Sequence, residues 1–314
     1  MANRIRVLSI DGGGIRGIIP SLVLAELERR AGRPAADLFD LVAGTSTGGL
    51  LALALTQPGP DGRPAHTAEQ LVELYETEGP RIFSRDLLQR IRSVDGLIDE
   101  KYSAKGLESA LQRYLHDTRL PDALTPVLVT AYDTAAREPV LLRREDDLAM
   151  RDAARATAAA PTYFEPLPLR MGGRERSLID GGVFATNPAM LAYAEVARTH
   201  PGAEVALLSI GTGQLTRPLP YERVRRWGLL EWARPIIDVV FDGVADTIDL
   251  ELEALLGPGS GRYWRLQTAL TEASDDLDDA SPQNLRALRR QGERLAAQRA
   301  ADLDQAIAVL TDGS

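Results

Sequence analysis

Two blocks of the same pattern open the chain. Residues 4–10 form a short, mostly apolar run of strand length, followed by the glycine-rich Asp11-Gly12-Gly13-Gly14-Ile15-Arg16-Gly17 and then apolar residues at helical spacing to about Glu28, with Pro20 in a first turn that tolerates it. Residues 38–43 form a second apolar run, followed by Gly44-Thr45-Ser46-Thr47-Gly48 and the apolar run 50–55, which reads as a buried helix. Strand, loop, helix, twice over, predicts a largely parallel sheet with helices on both faces, an α/β fold. Further on, the spacing predicts helices over 67–78, 106–115 and 153–160, the last stopped by Pro161. A helix from Asn187-Pro188 to about Arg198 follows, then mostly helix over 224–256 and a final helix from Ser281-Pro282 to about Leu310. Strands are predicted over 126–132, 139–142, 177–180 and 204–210, and a surface loop over 58–64. No internal repeat or linker interrupts residues 1–314, which read as one domain with a catalytic core over about 4–213 and a C-terminal helical part over about 224–310.

Composition narrows the function. A net charge of −9 argues against a nucleic-acid partner, which calls for a basic face, and makes any membrane-surface contact local and apolar. The chain has no cysteine, which removes disulfides, thiolate catalysis and Cys-ligated zinc. The three histidines, His66, His116 and His200, are scattered, so no metal site is expected. The first residues enter a strand at once, without the apolar core of a signal peptide, and no run reaches the roughly 18 apolar residues of a membrane span, so a cytoplasmic location is expected.

The candidate chemistry starts at Ser46. A Gly-x-Ser-x-Gly turn between a buried strand and a helix is a nucleophile elbow: the turn lifts the hydroxyl off the sheet edge and aims the first helical amides at whatever the serine attacks. Serine needs a base. A Ser–Asp–His order requires His200, but that residue falls in the last turn of the helix after Asn187, where the helix dipole already explains it. The other candidate is Asp180, which ends an apolar strand ahead of Gly181-Gly182 and is placed at the same sheet edge; it also suits a plain turn. A free aspartate, with a pKa of about 3.9, is a poor base, so the site would have to desolvate it.

Gly12, Gly13 and Gly14 precede a helix and expose backbone amides suited to an oxyanion, with the Thr47 amide as a further donor. Arg16 is a candidate for substrate binding through a phosphate head group, or else an anchor for the loop. The loop also matches a Gly-x-Gly-x-x-Gly nucleotide fingerprint, but the acidic residue expected at the end of the second strand is replaced there by the Ser46 elbow. Three further stretches carry open readings. Residues 81–99 are amphipathic, a surface helix that packs on the domain or touches a bilayer. Trp227 and Trp232 suit core packing first, an acyl-chain wall or interfacial belt second. The acidic run 275–279 lacks the glycine and terminal glutamate of a calcium loop.

In order, Asp-Gly-Gly-Gly-x-Arg-Gly at 11–17, Gly-Thr-Ser-Thr-Gly at 44–48 and Asp-Gly-Gly at 180–182 resemble the patatin-like phospholipase family, close to the plant patatins. Stretches 8–20, 43–51, 157–164, 207–213, 227–232 and 277–281 extend the resemblance over nearly the whole chain. It implies a three-layer α/β/α fold with a mostly parallel central sheet, and a Ser–Asp dyad that hydrolyses acyl esters of lipids. By position Ser46 would be the nucleophile, Asp180 the proton acceptor and Gly12 to Gly14 the oxyanion loop, with a phospholipid, lysophospholipid or glycolipid as substrate and neither metal nor cofactor. The plant proteins' secretory signal is missing, and the stretch 180–189, with the arginine-rich composition, looks more like bacterial members. Two other classes remain open: a regulated effector phospholipase of bacterial defence, and a storage or interaction protein with incidental esterase activity.

Overall fold

The computed structural model describes residues 4–83, 102–232, 235–257 and 259–312. The first block gives β1 (Arg4–Ile10) and α1 (Ile18–Ala31); the second gives β2 (Leu41–Thr45) and α2 (Thr47–Thr56). The second strand starts later than its apolar run, because residues Ala35–Leu38 close a helical turn behind Pro34. Then come α3 (Ala68–Ile82), α4 (Ala104–Leu115), β3 (Val127–Asp133), β4 (Glu138–Arg143), α5 (Met150–Thr157), β5 (Leu167–Met171) and β6 (Arg174–Asp180). The chain continues through α6 (Ala189–Thr199), β7 (Glu204–Ile210), α7 (Pro235–Leu256), β8 (Tyr263–Leu266), α8 (Pro282–Gln298) and α9 (Ala300–Thr311).

The eight strands of the described residues form one sheet. Strands β8, β7, β1, β2 and β3 lie side by side and run parallel, while β4, β5 and β6 add antiparallel pairs. Alternation along the parallel strands sorts the core into two faces. Leu8, Ile10, Val42, Val129, Leu208 and Ile210 pack on the side of α1 to α5, α8 and α9. Ile5, Val7, Leu41, Ala43, Val205 and Leu207 pack on the side of α6 and α7. Strands covered on both faces read as unbroken apolar runs, which is why the sequence marked them so clearly. The result is the three-layer α/β/α arrangement.

The ladder on β3 decides what the sheet can do. One edge of β3 is taken by β4 along residues Leu128 to Asp133. The other edge is shared: β2 pairs with Val127 to Thr130, and β6 with Ala131 to Asp133. Strand β6 therefore runs head-on toward β2 in a single lane. Thr45, the last residue of β2, faces Thr130, and Asp180, the last of β6, faces Ala131.

The C-terminal part differs from the all-helical expectation. It contributes β8, which pairs with β7 and brings Arg265 under the first loop. The single last helix predicted from Ser281 is two, broken at Arg299. Trp227 and Trp232 are not core residues: both are half-buried and pack edge to face on one another, with Leu229 beside them 88% exposed. Residues 84–99 of the amphipathic stretch lie outside the described residues.

Asp11 closes β1 as the amide partner of Ile210, and its carboxylate takes both terminal nitrogens of Arg265, at 2.9 and 2.5 Å, in a buried pair. Removing one partner of such a pair strands the other charge without water. Arg265→Met is expected to lower the unfolding free energy at pH 7 by about 3–5 kcal/mol. The loss should shrink in acid, where Asp11 can take up a proton; urea melts at the two pH values read it.

Candidate active site

Ser46 sits at the junction of β2 and α2 with φ 53 and ψ −122, a conformation that non-glycine residues rarely adopt. The flanking glycines make the turn possible. A Cβ on Gly44 would run into the Gly48 carbonyl, and one on Gly48 into the carbonyls of Ile10 and Asp11. The Ser46 amide is held by Thr157 Oγ1 at 2.8 Å, so α5 braces the elbow from the side.

Asp180 arrives from the opposite direction and lines the same pocket as Ser46. Its backbone amide donates to the Ala159 carbonyl at 3.0 Å, and one carboxylate oxygen accepts from the Gly182 amide at 2.7 Å. Only 1% of the residue is exposed. Burial pushes the carboxyl up to about 6, against the opposing pull of the nearby Ser46 hydroxyl and the Gly182 amide. Sequence reasoning placed Asp180 at the right sheet edge on the assumption of a strand ending like its neighbours. The strand is antiparallel to β3, and Asp180 reaches Ser46 because β3 overhangs β2.

The three glycines are not equivalent. Gly12 lies against Ser46, but its amide donates to the Thr186 carbonyl at 2.9 Å and its carbonyl accepts from Thr212 Oγ1 at 2.7 Å. The Gly12 amide is therefore spoken for, which corrects its expected place among the oxyanion donors. The amides of Gly13, Gly14 and Thr47 donate to no protein acceptor among the described residues. Gly14 has φ 57, and a Cβ there would strike the Leu277 carbonyl, the group that accepts the Ile15 amide at 2.9 Å.

Arg16 takes the second of the two roles expected of it. It is 6% exposed, and its guanidinium reaches the carbonyls of Gly13 at 3.2 Å and Gly213 at 3.4 Å. Through these carbonyls it anchors the loop. His200 ends α6, just before β7 starts, and lines a cleft with Ile5, Leu41 and Val127 at the N-terminal ends of the strands. Ser46 follows the C-terminal end of β2, so the sheet separates the two.

A cavity opens above the elbow. Ser46, Thr47, Asp180 and the 12–14 loop form its polar end; Ile15, Leu50, Leu74, Phe164, Phe241 and Leu277 are among its apolar walls. Sequence reasoning missed four supporting residues. Thr157, Thr186 and Tyr75 gave no local signal, because each acts through a contact far along the chain. Tyr75 hydrogen-bonds both the hydroxyl and the carbonyl of Thr47. Arg265 was detectable in principle, as a charge inside a strand.

A strained serine elbow, a buried acid and free loop amides on a three-layer sheet define a serine-hydrolase-like site. The comparisons say which kind: the family model for patatin-like phospholipase matches residues 8–193, and the chain belongs to that family. Patatin-like protein 2 of Arabidopsis thaliana is 34% identical, over 93% of this chain and 83% of its own length. A potato protein (Solanum tuberosum) named "Probable inactive patatin-3-Kuras 1" is 31% identical, over 94% and 87%. Among solved structures, human GIVD cytosolic phospholipase A2, bound to methyl gamma-linolenyl fluorophosphonate and terbium chloride, superposes with a TM-score of 0.50. It is 12% identical, with 98% of this chain and 59% of that one covered, and attests the fold.

Burial of an ionised Asp180 is a cost carried by the native state. Between the ordinary value near 3.8 and the folded value of about 6, the folded protein binds more protons than the unfolded one, so stability falls as pH rises through that window. Asp180→Asn keeps an oxygen for the Gly182 amide and removes the charge. At pH 7 it should be more stable than the parent by about 2–3 kcal/mol, and the gain should vanish near pH 4. A gain unchanged between those pH values in denaturant melts would contradict the desolvation account.

Proposed function

We propose that the protein is a lipid acyl hydrolase in which Ser46 is the nucleophile and Asp180 the proton acceptor. One observation carries the reading: a carboxyl raised to about 6 by burial lines the same pocket as a strained elbow serine. Such a group is ionised at neutral pH and still basic enough to share a proton. Family membership and the apolar cavity support a fatty-acyl ester as substrate.

In this reaction Ser46 Oγ bonds to the ester carbonyl carbon while its proton passes to Asp180. The carbonyl electron pair becomes an oxyanion, held by the amides of Gly13, Gly14 and Thr47. Collapse breaks the bond to the leaving alcohol, which takes the proton from Asp180. Water then attacks the acyl-enzyme, again losing a proton to Asp180, and the fatty acid leaves as Ser46 recovers its hydrogen. Removing one oxyanion donor from such a site typically slows it by about 10²–10³.

Release of p-nitrophenol from acyl esters by the purified protein tests the proposal. Ser46→Ala and Asp180→Asn are each expected to lose about 10³-fold or more of kcat, and His200→Ala to keep most of it. Abolition by His200→Ala in a folded protein would overturn the dyad. The logarithm of kcat/KM should climb with pH and level off above about 6, following ionisation of Asp180. A profile flat from pH 4.5 to 8 would remove Asp180 from the proton transfer.

A further inference from the structure

Exposed apolar side chains gather beside the site. Among the described residues, five of the eight large ones that face solvent fall within residues 221–240: Tyr221, Leu229, Ile236, Val239 and Val240. Ile236, Val239 and Val240 stand at helical spacing on one face of the first turns of α7 and are 40–45% exposed. The next residue, Phe241, is half-buried; it lines the cavity above the elbow and lies against Gly182. The apolar face therefore begins at the rim of that cavity.

Cations flank the same face. The helical turn Leu229–Trp232 packs on the start of α7, and the Trp227 and Trp232 rings meet beside it with centroids 5.1 Å apart. The Arg223 guanidinium lies 5.6 Å from the centre of the Trp227 ring, a cation–π distance. Arg225 and Arg226 are exposed. Residues 221–234 carry four arginines against two glutamates, in a chain whose net charge is −9. One of those glutamates, Glu231, accepts the Gly228 amide at 2.9 Å, and the other, Glu222, pairs with Arg225 at 2.8 Å.

A contiguous exposed apolar patch with a polar rim marks an interaction site. Tryptophan and arginine beside exposed aliphatic residues suit the boundary of a bilayer, where indole rings sit at headgroup level and cations meet lipid phosphates. We propose that residues 221–240 are a docking face for an anionic phospholipid bilayer. Leu229 and the Ile236–Val239–Val240 face enter the acyl boundary, Trp227 and Trp232 lie among the headgroups, and Arg225 and Arg226 meet phosphates. A protein seated here would cover the rim at Phe241, whereas a bilayer presents its lipids to it. The inference goes beyond the hydrolase reading, because docking needs neither Ser46 nor Asp180.

The test is co-sedimentation with vesicles of phosphatidylcholine and phosphatidylglycerol in equal parts, in a Ser46→Ala background that keeps the lipid intact. Leu229→Ser removes an exposed apolar side chain and is expected to weaken binding by about tenfold or more. Arg225→Gln together with Arg226→Gln should weaken it by a similar factor, as should raising the salt from about 0.05 to about 0.5 M. Leu255→Ser is the control: that residue is 57% exposed, about 24 Å further along α7 than Val239, and the variant should bind like its parent. Absence of vesicle binding by the parent, undiminished binding by Leu229→Ser, or an equal loss in Leu255→Ser overturns the proposal. Binding insensitive both to salt and to the two arginines overturns it as well. So does a parent that light scattering finds dimeric and that Leu229→Ser makes monomeric, since a second copy then covers the face. Turnover of soluble p-nitrophenyl butyrate, with Ser46 in place, separates docking from catalysis: Leu229→Ser should keep kcat/KM within about twofold of wild type. Vesicle binding without turnover of any ester upholds the docking face and removes the hydrolase reading; turnover without vesicle binding does the reverse.

Discussion

The molecule is organised around two strands that end against each other. Strands β2 and β6 share one edge of β3, and neither can lengthen without colliding with the other. Their ends leave the sheet at the same point, one turning sharply into α2 and the other into Gly181-Gly182. Main-chain continuity on β3 thus brings a serine and a buried carboxylate to the same place, beside α5 and the loop 11–14. The raised proton affinity of Asp180 follows from that confinement alone, since the hydrogen bonds it accepts pull the other way.

The glycine loop is defined by what its neighbours take from it. Thr186 claims the Gly12 amide, Thr212 the Gly12 carbonyl, Arg16 the Gly13 carbonyl, and Leu277 the Ile15 amide. What remains unclaimed, the amides of Gly13 and Gly14, is aimed by subtraction. Fixed dipoles of this kind require no reorganisation when charge develops beside them, which is the advantage of a rigid loop over a flexible cation. The buried Asp11–Arg265 pair underlies this frame, and it ties the frame to the last strand of the sheet.

Much of this was legible beforehand because the parallel strands are apolar on both faces and the turns between them depend on glycine. The elbow around Ser46, the strand–loop–helix rhythm and the exclusion of His200 needed only local pattern. Other features did not follow from pattern. A four-residue strand such as β8 is too short to carry a period, and Trp227 and Trp232 read as core by type although they lie half-exposed. The two roles open to Arg16 could not be told apart for a similar reason: side-chain chemistry suggests what a guanidinium can bind, but not which carbonyls will surround it.

The sequence by itself determined the α/β architecture, the position of the strained turn and the set of residues from which a serine-based site could be built, because each depends on the conformational limits of a few neighbouring residues. Tertiary structure decided which of those residues meet. The head-on register of β2 and β6, the desolvation of Asp180 and the loss of the Gly12 amide to Thr186 all depend on contacts between segments distant along the chain. Such contacts are set by packing and strand register, which no local spacing of residues records.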